Sequence, residues 1–258
     1  MISEMLSYDF IQRAFLGGVL VSLCAALLGV SLVLKRYSMI GDGLSHVSFG
    51  ALSIAIACGI APLKFAIPVV IVAAFLLLRL AENGKMRSDA AIAMVSASSL
   101  AIGVIVTSLT TGLSTDIYSY MFGSILAMSK DDVVVSGLLS VIVIIMFVAC
   151  YHKIFAVTFD ENFSKATGVK VGMYNTLISI FTAITIVVGI KMMGAMLISS
   201  LIVFPSLTSM RIFKSFKSVT ICSAILSVVN FTIGLICSYG FSILSQDYFD
   251  FVQHMRTI

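Results

Sequence analysis

The chain is 258 residues long, 60% hydrophobic and 11% charged, with a formal net charge of +4, and its mean hydropathy is +1.13. A water-soluble domain carries about 25% charged residues and has nowhere to hide this much apolar surface. A soluble enzyme is thereby excluded, and the lack of short alternating segments argues against a transmembrane barrel. What remains is an all-α integral membrane chain, a polytopic bundle of about eight transmembrane helices in a single domain over residues 1–258.

Residues 1–10 hold Glu4 and Asp9 but no basic cluster, and the apolar run behind them is too long for a signal-peptide core. The first span is therefore expected to stay in the membrane. Apolar runs predict spans at 11–34, 43–60, 62–80, 90–110, 132–151, 173–190, 193–211 and 218–244. Gly59 and Pro62 punctuate a tight second connection, and Glu82-Asn83-Gly84-Lys85 makes a polar break. The stretch 111–131 is intermediate, and Ile117–Met128 within it suits a short interfacial or re-entrant helix.

Lys and Arg set the expected orientation. Lys35, Arg36, Arg79, Lys85, Arg87, Lys153, Lys165, Lys170, Arg211, Lys214 and Lys217 fall on one side, and Arg13, Lys64, Lys130, Lys191 and Arg256 on the other. Eleven against five makes the first side cytoplasmic and turns both termini outward.

Ionisable groups within spans are costly and therefore functional candidates. The best pair is Asp42 and His46, in Gly41-Asp42-Gly43-Leu44-Ser45-His46. At i and i+4 they share a helical face, and a carboxylate with an imidazole supplies two ligands for zinc or manganese. The same residues also read as a cap-like aspartate beside an interior histidine. Ser45 and Ser48 bring hydroxyls nearby, and Gly41, Gly43 and Gly50 permit close helix approach.

Other polar or soft side chains carry less. The five cysteines, Cys24, Cys58, Cys150, Cys222 and Cys237, stand singly with no CxxC spacing, as small hydrophobes do. His152 fits an interfacial position and His254 an outer tail with Asp247 and Asp250. Met192, Met193 and Met196 suit packing better than a soft-metal site. Asn230 either lines a pathway or bonds to a neighbouring helix.

The longest cytoplasmic connection is 152–172. Thr158 or Asp160 can cap a short helix there, with acids in its first turn and Gly168 at its end. No GxxxxGK[ST] phosphate loop occurs anywhere in the chain, so ATP hydrolysis would belong to another chain.

Four stretches together resemble the membrane permeases of bacterial zinc and manganese ABC importers. They are KRYSMIGDGLSHVSFG (35–50), MFGSILAMSKD (121–131), FDENFSKATG (159–168) and VGIKMMGAMLISSLIVFPSLTSMR (188–211). The resemblance implies a transport subunit rather than an enzyme, with no covalently bound cofactor, zinc or manganese as cargo, and ATP used by a partner. It implies a second permease copy, a cytoplasmic ATPase, an extracytoplasmic metal-binding protein and residence in a bacterial cell membrane; the lipid bilayer is a partner and nucleic acid is not. It assigns Asp42 and His46 to the translocation pathway. It assigns Phe159, Asp160, Glu161, Ala166 and Gly168 to coupling with the ATPase. Gly189, Gly194 and Pro205 are expected places for helix bending. The last span departs from the family by running into Ser245-Gln246-Asp247-Tyr248-Phe249-Asp250 without proline or glycine. Two rivals stay open: a permease for an iron chelate or vitamin, and an ion-coupled secondary transporter.

Overall fold

The computed structural model describes residues 9–37, 39–82, 88–110 and 130–256. The expected interfacial segment Ile117–Met128 lies outside the described residues, as do Lys85 and Arg87. All described secondary structure is helical: α1 (Asp9–Leu34), α2 (Ile40–Ala57), α3 (Pro62–Glu82), α4 (Ser88–Leu109), α5 (Lys130–Ala149), α6 (Tyr151–Phe159), α7 (Glu161–Ala166), α8 (Val171–Met193), α9 (Ala195–Ile212) and α10 (Phe216–Arg256).

Each of the eight predicted spans finds a helix in its place. Among the described residues six helices are long and apolar enough to cross a bilayer, or seven if α5 and α6, which meet at a 70° bend, are one span. The remaining helix, α3, has 21 residues, but its apolar stretch, Lys64–Leu77, is shorter than a full span, so six or seven spans stand among the described residues where about eight were expected.

Several boundaries differ from expectation, each for a local reason. Helix α2 begins at Ile40, so Asp42 lies inside the helix in its first turn. The connector after α5 is already helical from Tyr151 and holds two short helices where one was expected. Helix α6 buries Ile154, Val157 and Thr158 and leaves Phe155 and Phe159 exposed. That one-sided pattern suits a helix lying along a surface. Helix α10 runs for 41 residues to Arg256 because nothing after Gly240 breaks it.

Helix α1 is the hub, packed against α5, α6, α8, α9 and α10. Small residues let it serve: Cys24, Ala25 and Ala26 are fully buried, and a Cβ on Gly29 would sit 2.0 Å from the Ile202 carbonyl oxygen of α9. Helix α2 forms a second centre against α3, α4, α8 and α9, where a Cβ on Gly50 would lie 2.8 Å from the Ser99 carbonyl oxygen. Such notches bring backbones together where lipid supplies no hydrophobic drive between helices. Buried hydroxyls and a thiol add bonds across the seams: Ser227 Oγ to the Ser22 carbonyl at 2.9 Å, Ser206 to Ser223 at 3.2 Å, and Cys24 Sγ to the Ser140 carbonyl at 3.3 Å.

Three turns close by the same reciprocal pair of bonds. After α7, Val169 N–H donates to the Ser164 carbonyl and Gly168 N–H to the Lys165 carbonyl, with Gly168 at φ 81°. After α2, Ile60 and Gly59 repeat this on Ala55 and Ile56, with Gly59 at φ 67°. After α1, Tyr37 bonds to Leu32 and Arg36 to Val33, but here an arginine occupies the left-handed position at φ 61°. A side chain there costs about 1–2 kcal/mol relative to glycine, so the turn is held by its surroundings.

Candidate functional site

Asp42 and His46 stand together on α2, with His46 Nε2 3.7 Å from Asp42 Oδ2. Two donors bound at about 2.1 Å to a tetrahedral ion lie about 3.4 Å apart, so the pair is close to chelating geometry. The surrounding residues Gly41, Gly43, Leu44, Ser45 and Val47 are buried, whereas the Asp42 side chain is 52% and the His46 side chain 24% exposed. The pair is thus a polar opening on an otherwise packed helix. Met39, not Asp42, holds the helix N-cap position. A carboxylate in the first turn is favoured by the helix dipole in any case.

The neighbouring hydroxyls face elsewhere. Ser45 Oγ donates to the Gly41 carbonyl at 2.8 Å, and Ser48 is fully buried. Among the described residues no group of three His, Cys, Asp or Glu could hold a metal ion. Asp42 and His46 therefore stand as a pair of potential donors.

The weaker candidates separate cleanly. His152 is exposed and lies edge-on to Tyr151 at 5.6 Å. Met192 and Met193 are buried in packing, and Met196 is exposed. Asn230 is exposed on α10. The side chain of His254 lies outside the described residues.

The coupling candidates gather on α6 and α7. Asp160 caps α7, its Oδ1 accepting from Phe163 N–H at 2.9 Å, while Thr158 is buried within α6. Phe159 and Phe163 are exposed, Ala166 is exposed beside them, and Gly168 closes the helix. Phe155, Phe159 and Phe216 stack at 4.9–5.9 Å, which seats the end of α6 on the start of α10.

Glu161 makes a connection the sequence does not announce. Its Oε1 lies 2.9 Å from Lys35 Nζ and accepts from Asn175 Nδ2 at 3.1 Å, and Lys35 Nζ also donates to Asn175 Oδ1. Burial pushes the Glu161 carboxyl up, but hydrogen bonds from Lys35 and Asn175 and the charges of Lys35 and Lys165 outweigh it. The carboxyl is left below its ordinary range. Lys35 enters the sequence reading only as a topological charge. For Asn175 the one available signal is an amide near the start of an apolar span.

Two of the expected bending positions, Gly189 and Gly194, fall near where α8 meets α9, and the third, Pro205, lies well inside α9. Gly194 is the break itself, at φ 83° and ψ 163°, a conformation almost confined to glycine. At Gly189, a Cβ would meet Ile198 at 2.5 Å. Pro205 sits buried inside α9, which continues through it.

Residues 7–248 match the ABC 3 transport family. The chain belongs to that family. A probable metal transport system membrane protein of Treponema pallidum is 34% identical over 91% of this chain and 88% of its own. The high-affinity zinc uptake system membrane protein ZnuB of Buchnera aphidicola is 30% identical over 88% of this chain and 87% of its own. The manganese import system permease protein ScaB of Streptococcus gordonii is 26% identical over 92% and 84%. The solved structure of PsaBC from Streptococcus pneumoniae in complex with Fab superposes with a TM-score of 0.82 at 26% identity, covering 94% of this chain and 88% of that one. As an ABC 3 family member the chain is an all-helical integral membrane protein of the transport class, and the expected family and fold hold.

Proposed function

We propose that this chain is the permease subunit of a bacterial ABC importer for a divalent transition metal, zinc first and manganese second. The observation that carries the reading is the Asp42–His46 pair, two hard-to-borderline donors 3.7 Å apart on the open face of a packed helix. Zinc and manganese relatives of similar coverage support the class of cargo. An arriving ion exchanges some of its water for the carboxylate and the imidazole. Two protein ligands hold it weakly enough to let it go, as passage requires. Two copies of the chain enclose the path, and an extracytoplasmic binding protein feeds it. A separate ATPase grips Phe159, Asp160, Glu161, Ala166 and Gly168 at the cytoplasmic face. Bending at Gly194, with Gly189 before it in α8 and Pro205 further along α9, lets the helices alternate between outward- and inward-open states.

The test is uptake in cells lacking the chromosomal copy, with zinc, manganese and iron limited in turn, complemented by the wild type, Asp42→Ala or His46→Ala. Each substitution is expected to lower zinc uptake on the order of tenfold or more, since even ligand-supporting residues cost 10–100-fold in metal sites. Wild-type uptake in both variants would remove the pair from the pathway. Failure confined to an organic chelate would move the cargo to that class, and uptake without any ATPase would favour ion coupling.

A further inference from the structure

The ammonium of Lys35 is nearly enclosed, its side chain 8% exposed. A buried cation persists only where partners replace its water. Here the partners come from two other elements: Glu161 opens α7, and Asn175 lies one turn into α8. The third side of the triangle is the Asn175–Glu161 bond. Replacing such a cluster with apolar residues is often neutral for stability.

Its two ends lie at telling places. On one side, α7 buries only Ser164, and Glu161 ties its start to Lys35 and Asn175. On the other side, Lys35 begins the tight turn into α2. Tyr37 N–H bonds back to Leu32, Arg36 is locked at φ 61°, and Ile40 N–H bonds to the Tyr37 carbonyl at 3.0 Å. Asp42 is two residues beyond Ile40, and His46 one helical turn further. A narrow cavity of about 10 Å³ lined by Lys35, Tyr37, Ile40, Asn175, Ser179 and Thr182 lies between the triad and the start of α2.

We propose that Lys35 is a positioning residue for transport: the Lys35–Glu161–Asn175 triad ties α7 to the end of α1 and the start of α8, at the turn that leads into α2, so that movement of α7 resets Asp42 and His46. The inference rests on the importer reading above and adds to it the route from the coupling helix to the ion. Glu161 then has two jobs, facing the ATPase side and holding Lys35. The depressed carboxyl keeps it charged for the second.

The experiment uses the complete importer, with its ATPase and binding protein, reconstituted in liposomes. Zinc moved and ATP hydrolysed are measured together. Lys35→Met is expected to assemble with the ATPase in wild-type amounts and to hydrolyse ATP within about twofold of wild type. Zinc moved per ATP should fall about tenfold. Glu161→Gln should lower the same ratio to a similar extent, and the double variant no further, because one unit is broken in either case. A wild-type ratio in Lys35→Met, losses that multiply in the double variant, or loss of ATPase association in Lys35→Met would each overturn the assignment. If Lys35→Met is not recovered, Asn175→Leu, outside the residues facing the ATPase, decides in its place, a wild-type ratio overturning the proposal and a tenfold loss upholding it. A wild-type importer that moves neither zinc nor manganese overturns the functional reading and this inference with it. Transport by the wild type with normal ratios in the variants overturns this inference alone.

Discussion

A glycine's value in this chain depends on what stands opposite it, which makes paired glycines a sharp residue-scale test. Gly29 faces the Ile202 carbonyl oxygen at 2.0 Å and Ser206 Oγ at 2.7 Å from a would-be Cβ. Backbone cannot yield as a flexible side chain can, so Gly29→Ala forces α1 and α9 apart. Overpacking of this kind costs about 1–3 kcal/mol. Gly137 on α5 meets nothing within 4 Å, and Gly137→Ala should gain up to about 1 kcal/mol from helix propensity alone. Thermal denaturation in detergent should therefore move in opposite directions for the two variants. Equal shifts would mean that the close approach of α1 and α9 is not what Gly29 serves.

At the scale of elements, α7 is six residues long and too short to persist unaided. Asp160 and Gly168 bound it, one by capping Phe163 N–H and the other by taking the left-handed turn. Removing the cap in Asp160→Ala should cost about 1 kcal/mol, and Asp160→Asn far less, since an amide oxygen also accepts. Hydrogen exchange in peptides covering 160–168 should quicken about fivefold in the alanine variant, as 1 kcal/mol of local opening requires. Unchanged exchange would show that Lys35, Asn175 and the Phe155–Phe159–Phe216 stack hold the segment without the cap.

For the molecule as a whole, contacts between distant segments agree with the charge count. Lys35 meets Glu161, and Phe216 meets Phe155 and Tyr151, so the turns after α1, α5, α6 and α9 share one end. Their basic residues, Lys35, Arg36, Lys153, Lys165, Lys214 and Lys217, belong to the eleven-residue side. Cys58, exposed next to the Gly59 turn, lies at the opposite end of α2 from Lys35. With the other four cysteines replaced by alanine, Cys58 should react with a membrane-impermeant maleimide added outside intact cells. Labelling only after the cells are opened would invert the topology and put α7 out of reach of a cytoplasmic ATPase.

The sequence by itself determined the membrane class, the order of the spans, the charge asymmetry, the i, i+4 spacing of Asp42 and His46 and the end of α7 at Gly168. Each of these is local: hydropathy over about 20 residues, helical period, or the backbone freedom of one residue. Sequence left Thr158 and Asp160 as equal caps, and only the fold showed that Thr158 was already buried in α6. It set Ser45 and Ser48 beside the pair, whereas helix packing turned both into the interior. Tertiary structure alone decided that α1 and α2 are the two hubs, because a glycine notch has meaning only once its opposite backbone is known. It alone joined Lys35 to Glu161 and Asn175, which stand 126 and 140 residues further along the chain. No local pattern encodes such a contact: it exists because the end of α1 and the starts of α7 and α8 meet at the basic face, where a lysine without partners would be too costly to bury.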